Sequence, residues 1–329
     1  MSEHVLIWIC FNIFVIAMLV LDLKVFHRKT HVIGIKESIL WTIFWIALSL
    51  IFNLIIYFWQ GQEVALAYFT GYLIEKSLSI DNLFVFLLIF SYFCVAPVHQ
   101  HKVLYWGILG AIIMRLIFIM AGIALVNLVH WMLGVFGAFL VFTAIRMVSG
   151  KDKEVHPDTN PVLRLVRRFI PISDDYNEDK FFIKRAGRYI ATPLLVVVIV
   201  IETTDVIFAL DSIPAIIGIT TDPFIVYSSN VFAILGLRAL YFALAGVMRL
   251  FYLLHYGLAV VLIFIGIKMI LEVLHYYELP IGVEIPISIS LAIVAAILVL
   301  SVVASILWPN KHDLTIDSNG ECHYPENVE

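Results

Sequence analysis

Residues 190–218 read IATPLLVVVIVIETTDVIFALDSIPAIIG, an apolar run that carries Glu202, Asp205 and Asp211 and no Lys or Arg. A helix of about 20 such residues crosses the roughly 30 Å hydrocarbon layer of a bilayer. A charge at mid-bilayer costs about 3 kcal/mol unless it faces protein or water. The stretch therefore predicts a membrane helix with a polar interior beside it.

The rest of the chain has the same character. Its 329 residues are 62% hydrophobic and 14% charged, with a mean hydropathy of +1.00, outside the range of soluble domains. Apolar spans fall at roughly 5–25, 38–60, 64–95, 102–125, 127–148, 190–218, 224–248, 254–275 and 284–308. Backbone groups in lipid must be paired internally, and no ten-residue alternation of a membrane β-barrel is present. The expected fold is an all-α membrane protein of nine transmembrane helices. Two helices in 1–60 are peripheral, as is the ninth in 276–308; 61–148 and 190–275 each hold three helices. A polar loop at 149–189 and an acidic tail at 309–329, expected to be disordered, complete the chain. Within the loop, 162–170 (VLRLVRRFI) reads as a short interfacial helix.

Four of the 21 Lys and Arg residues, Lys76, Arg115, Arg238 and Lys268, fall deep in these spans, and the other 17 collect on one side. The positive-inside rule makes that side cytoplasmic, with the N-terminus periplasmic and the C-terminus cytoplasmic. Residues 1–25 lack a basic start and a small-residue cleavage site and read as a retained helix. The net charge of −4 suggests no nucleic-acid partner. Cys10, Cys94 and Cys322 are too scattered for a metal or redox motif.

Spans four and seven share an Arg followed by Ala-Gly: Arg115 with Ala121-Gly122, and Arg238 with Ala245-Gly246. Spans five and eight share Phe142-Thr-Ala-Ile-Arg146-Met147 and Phe264-Ile-Gly-Ile-Lys268-Met269. The separation is 31 residues from Arg115 to Arg146 and 30 from Arg238 to Lys268. With the acid-bearing spans three and six as the third pair, spans 3–5 and 6–8 form a candidate inverted repeat. Its register is open: Asp81 aligns with Asp205 by distance to the next Arg, whereas Glu75 aligns with Asp205 by local motif.

Span three carries Glu75, Lys76, Asp81 and Asn82; span six carries Glu202, Asp205, Asp211, Ser212 and Pro214. Exposing the five acids and four bases to lipid would cost on the order of 25 kcal/mol, so they must face one another or water. Helical spacing places Glu75, Ser79 and Asn82 on one face, and Glu202, Asp205 and Ser212 on another. Asp81 and Asp211 point elsewhere. A site using both Glu202 and Asp211 requires a distorted helix, which Pro214 could supply. The candidate metal ligands are Glu75, Asp81, Asn82, Glu202, Asp205, Asp211 and Ser212, with Lys76, Arg115, Arg238 and Lys268 balancing charge or locking helices. These are hard oxygen donors suited to Mn²⁺, Mg²⁺ or Ca²⁺, and no His or Cys lies among them in the sequence. A purely structural salt-bridge lattice is the alternative. His99 and His101 read as loop residues, and Met114 and Met269 as packing.

Glu75-Lys-Ser-Leu-Ser-Ile-Asp81-Asn82 and Glu202-Thr-Thr-Asp205-Val-Ile-Phe-Ala-Leu-Asp211-Ser212-Ile-Pro214 resemble the two signature stretches of TerC membrane proteins. Leu21-Asp22-Leu, Phe26-His-Arg-Lys and Thr192-Pro193-Leu extend the resemblance over about 10–308. It implies manganese(II) export from the bacterial cytoplasm across the inner membrane, a historical link to tellurium resistance, and metal supply to exported metalloenzymes. The expected partners are a divalent cation as substrate and the lipid bilayer, with no resident cofactor and no enzymatic activity. No GxxxxGK[ST] loop is present for ATP, so protons are the expected counter-cargo. A metal-dependent membrane enzyme and a scaffold for other membrane proteins are the competing classes.

Overall fold

The structure, a computed structural model, describes residues 3–26, 35–93, 95–149, 180–185, 188–244 and 253–307. The 162–170 segment, the tail at 309–329, Cys94 and Cys322 lie outside them. The described residues form a helical bundle: α1 (Glu3–Phe26), α2 (Ile35–Gln60), α3 (Gln62–Tyr92), α4 (Pro97–Leu128), α5 (Met132–Val148), α6 (Pro193–Ile217), α7 (Pro223–Leu235), α8 (Leu237–Leu244), α9 (Leu254–Tyr276) and α10 (Ile287–Leu307). Six are long and apolar enough to cross a membrane, and the bent pair α7–α8 makes seven. α3 is interrupted by the charges of Glu75, Lys76 and Asp81, and α5 has only 17 residues.

Two expectations change locally. Two short strands, β1 (Phe182–Arg185) and β2 (Arg188–Ala191), pair antiparallel with Phe182 opposite Ala191. The sixth helix therefore begins at Pro193 and not at 190. Thr192 joins β2 to α6: its N–H donates to Phe181 O at 2.9 Å and its hydroxyl to Lys180 O at 2.7 Å. Pro193 follows in the first turn, where a missing N–H costs nothing. The second change concerns Pro214. α6 runs unbroken through it to Ile217, because only one turn remains beyond the proline. The bend lies instead at Gly236, where α7 and α8 meet at 40°. A β-carbon there would come within 3.0 Å of both Lys76 Nζ and Trp45 Cβ, so glycine lets α2 and α3 close on the break.

Side-chain contacts set helix directions. α4 and α6 run the same way, Gly107 meeting Ile201 and Gly122 meeting Ile217. α3 and α7 also run the same way, Gly71 meeting Ser229 and Lys76 meeting Ala233. α5 and α9 are antiparallel, with Gly134 against Val273 and Met147 against His255. Between them a β-carbon on either Gly137 or Gly266 would lie 2.5 Å from the other's carbonyl oxygen. Such close backbone approach through small residues is how helices pack where burial of apolar surface supplies no drive. α1, α2 and α10 are each less than a quarter buried, whereas α6 and α9 are half buried. α1 lies along α7 through Trp8 stacked on Tyr227 and Phe11 edge-on to Phe224.

Candidate cation site

Three helices converge on one side chain of a fourth. Arg115, in the middle of α4 and buried, donates through Nη1 to Glu75 Oε1 of α3, to Ser212 Oγ of α6 at 3.2 Å and to Asn230 Oδ1 of α7 at 2.6 Å. Its Nε and Nη2 face the two carboxylate oxygens of Asp205 at 3.4 and 3.3 Å. Gly71, one turn before Glu75, opens the space: a β-carbon there would stand 3.0 Å from Ser229 Oγ and 3.2 Å from Ile216 Cγ2. Glu75 and Asn230 are wholly buried.

Acceptors outnumber donors around Nη1, whose two hydrogens face three oxygens. Glu75 Oε2 and Asn230 Nδ2 are buried with no hydrogen-bond partner. Buried polar groups are rarely left so, and an orphaned carboxylate oxygen in a membrane interior marks spare capacity for a cation. Two carboxylates against one guanidinium leave the ionised cluster negative. Even so, among the described residues no three His, Cys, Asp or Glu side chains are grouped to hold a metal ion. The cation at the centre is Arg115.

The other expected residues divide cleanly. Ser79 and Asn82 share the buried face of α3 with Glu75, as the spacing predicts, but neither is among the hydrogen-bond partners of Arg115. Glu202 lies one turn before Asp205, its carboxylate filling the place a β-carbon on Gly110 of α4 would take. Asp211 is half-buried on another face of α6 and outside the cluster. Asp81 is also apart. Its carboxylate oxygens lie 3.2 and 3.3 Å from His255 Nδ1 of α9, while His255 Nε2 is 3.1 Å from Met147 O at the end of α5. This corrects the expectation that no histidine accompanies the acids.

Only one of the four bases sits among the acids. Arg238 donates to the Asp22 carboxylate at 2.7 Å and to its backbone oxygen at 3.2 Å, fastening α8 to α1. Lys76 Nζ donates to Ala233 O at 3.2 Å, and Lys268 Nζ to Gly218 O at 2.7 Å, each at the C-terminal end of a helix where a positive charge is favoured. These three lock helices. His99 and His101 belong to the first two turns of α4 and not to a loop, and His101 stacks on Phe242 at 4.1 Å.

Sequence reading missed Asn230, His255 and the role of Asp22. The polar triplet Ser228-Ser229-Asn230 inside an otherwise apolar span was the available signal for the first. The histidine offered none, since it stands alone at a helix start. Replacing Asp81 by Asn or His255 by Ala should disturb the protein to similar extents, with the double variant no worse than either alone. Additive losses in thermal stability and activity would show that the two side chains act separately.

The bundle with its charged, buried centre defines an integral membrane protein. Residues 60–313 match the family described as integral membrane protein TerC, and the chain belongs to that family. An uncharacterized membrane protein of Myxococcus xanthus is 45% identical over 95% of both chains. A protein of Salmonella typhi, under the provisional name membrane-bound redox modulator Alx, is 47% identical over 93% of this chain and 95% of its own. Its namesake in Escherichia coli K12 is 45% identical over 94% and 96%. No solved structure matches.

Proposed function

We propose that the chain is a secondary transporter of the bacterial inner membrane that exports manganese(II) from the cytoplasm in exchange for protons. The observation that carries this reading is the convergence of Glu75, Asp205, Ser212 and Asn230 on one buried cation, with a carboxylate oxygen left over. An all-oxygen set suits Mn²⁺, Mg²⁺ or Ca²⁺; manganese is chosen among them because resemblance to the family implies it. Closely spaced carboxylates oppose one another's ionisation, so protons entering from the periplasm release the metal outward and their loss to the cytoplasm restores the ligands.

In this reading the chain crosses the membrane nine times, with α7–α8 as one broken span. At about 1.5 Å per residue α5 spans about 25 Å, near the lower limit for a crossing. The contact pattern fits an inverted repeat that exchanges α3 with α6, α4 with α7–α8 and α5 with α9. The exchange turns the parallel pair α3–α7 into the parallel pair α6–α4. It requires α5–α9 and α4–α7 to be antiparallel, and the contacts Gly134–Val273, Arg115–Asn230 and Gln100–Tyr241 run in that sense. Orientation follows the positive-inside rule, with the N-terminus periplasmic and 149–189 cytoplasmic. Reporter fusions should be active outside at the N-terminus and inside at residue 160; the reverse pattern overturns the orientation.

In proteoliposomes, Mn²⁺ flux should follow an imposed pH gradient and be accompanied by counter-flow of protons. Flux that ignores the gradient defeats the exchange mechanism. Absence of any flux from purified, folded protein favours an enzyme or a scaffold.

A further inference from the structure

The cluster poses a question of charge: Arg115 holds the position toward which every ligand of the proposed site points, so an arriving divalent ion must compete with it. The four intramembrane bases differ in what holds them. Lys76, Lys268 and Arg238 each have a backbone carbonyl as a partner, which cannot turn away. Arg115 is held by side chains alone, at distances to Asp205 of 3.3 and 3.4 Å that are long for a charge-assisted pair.

A second carboxylate lies within its range. Glu202 precedes Asp205 by three residues, one turn or about 4.5 Å along α6 on the same face. Its carboxylate rests in the recess that Gly110 leaves in α4, the helix of Arg115 itself. Arg115 already faces Asp205, one turn from Glu202, through Nε and Nη2, and long side chains on a helix lean toward its N-terminus, the direction in which residue 110 lies on α4.

We propose that Arg115 is a tethered counter-cation that occupies the position of the divalent ion, and that the ion takes this position by driving the guanidinium one turn along α6 to Glu202. This rests on the transport reading above. With the ion bound, Glu75 and Asp205 neutralise two positive charges and Glu202 neutralises Arg115. Glu202 is then a positioning residue that acts through Arg115 and not a ligand.

The test is Mn²⁺ titration of the purified full-length protein, by calorimetry or by paramagnetic resonance of the free ion, after size-exclusion confirms the fold. Arg115→Gln removes the competitor and should bind Mn²⁺ at least tenfold more tightly than wild type. Arg115→Lys, which keeps the charge without the planar fork, should bind about threefold more tightly and covers the case in which the glutamine variant does not fold. Glu202→Gln should weaken binding about tenfold in the wild-type background, by less beside Arg115→Lys, whose charge still needs a counter-ion, and not at all beside Arg115→Gln. A ligand role for Glu202 would weaken binding in every background. Folded Arg115 variants that bind no more tightly, or a Glu202 effect independent of Arg115, overturn the proposal and leave the transport reading standing. Wild-type protein that binds no divalent cation overturns both.

Discussion

Arg115→Ala is expected to destabilise the protein by about 3–5 kcal/mol, because Glu75 and Asp205 would then be buried with no counter-cation. Few single substitutions reach that range, and those that do leave a charge or a cavity in the core. Membrane yield and the midpoint of thermal unfolding in detergent both report it. Mn²⁺ should restore part of the loss, since a ligand of the folded state stabilises it by mass action. Unchanged yield and unfolding midpoint would mean that water reaches the cluster and the acids need no partner.

Asp205→Asn and Glu75→Gln preserve side-chain size while removing ligand charge. Transport should fall about 100-fold or more in each, the upper end of what disturbing even an outer partner costs a metal site. The fold should survive, because Arg115 keeps one carboxylate together with Ser212 and Asn230. Mn²⁺ uptake into inverted vesicles, followed by quenching of an entrapped fluorescent dye and normalised to protein content, measures the change. Flux within twofold of wild type in both variants would reduce the two acids to structural counter-ions of Arg115.

Pairwise geometry explains why some site residues were legible and others were not. The face shared by Glu75, Ser79 and Asn82 follows from spacing on one helix, and all three are buried. The separation of Asp211 from Asp205 and Ser212 follows in the same way, since a regular helix turns them apart. The bend did not follow. Pro214 signals one by local stereochemistry, yet it lies so near the end of α6 that the helix absorbs it. Gly236 breaks its helix where it packs against Trp45 and Lys76, residues 191 and 160 positions away in the chain.

By itself, the sequence determined the helical membrane class, the course of the apolar spans and the concentration of acids on two of them. Each is a local property: hydrocarbon demands a certain length of apolar residues, and a buried charge is costly wherever it stands. Only the tertiary structure decided which charges meet. Arg115 joins Glu75 and Asp205, Arg238 pairs with Asp22 and not with the candidate ligands, and Asp81 turns to His255. In water an amphipathic stripe reveals which face of a helix turns inward. In a bilayer the lipid and the protein core are equally apolar, so helix rotation and choice of neighbour are set by glycine contacts and polar pairs between helices, which no single helix encodes.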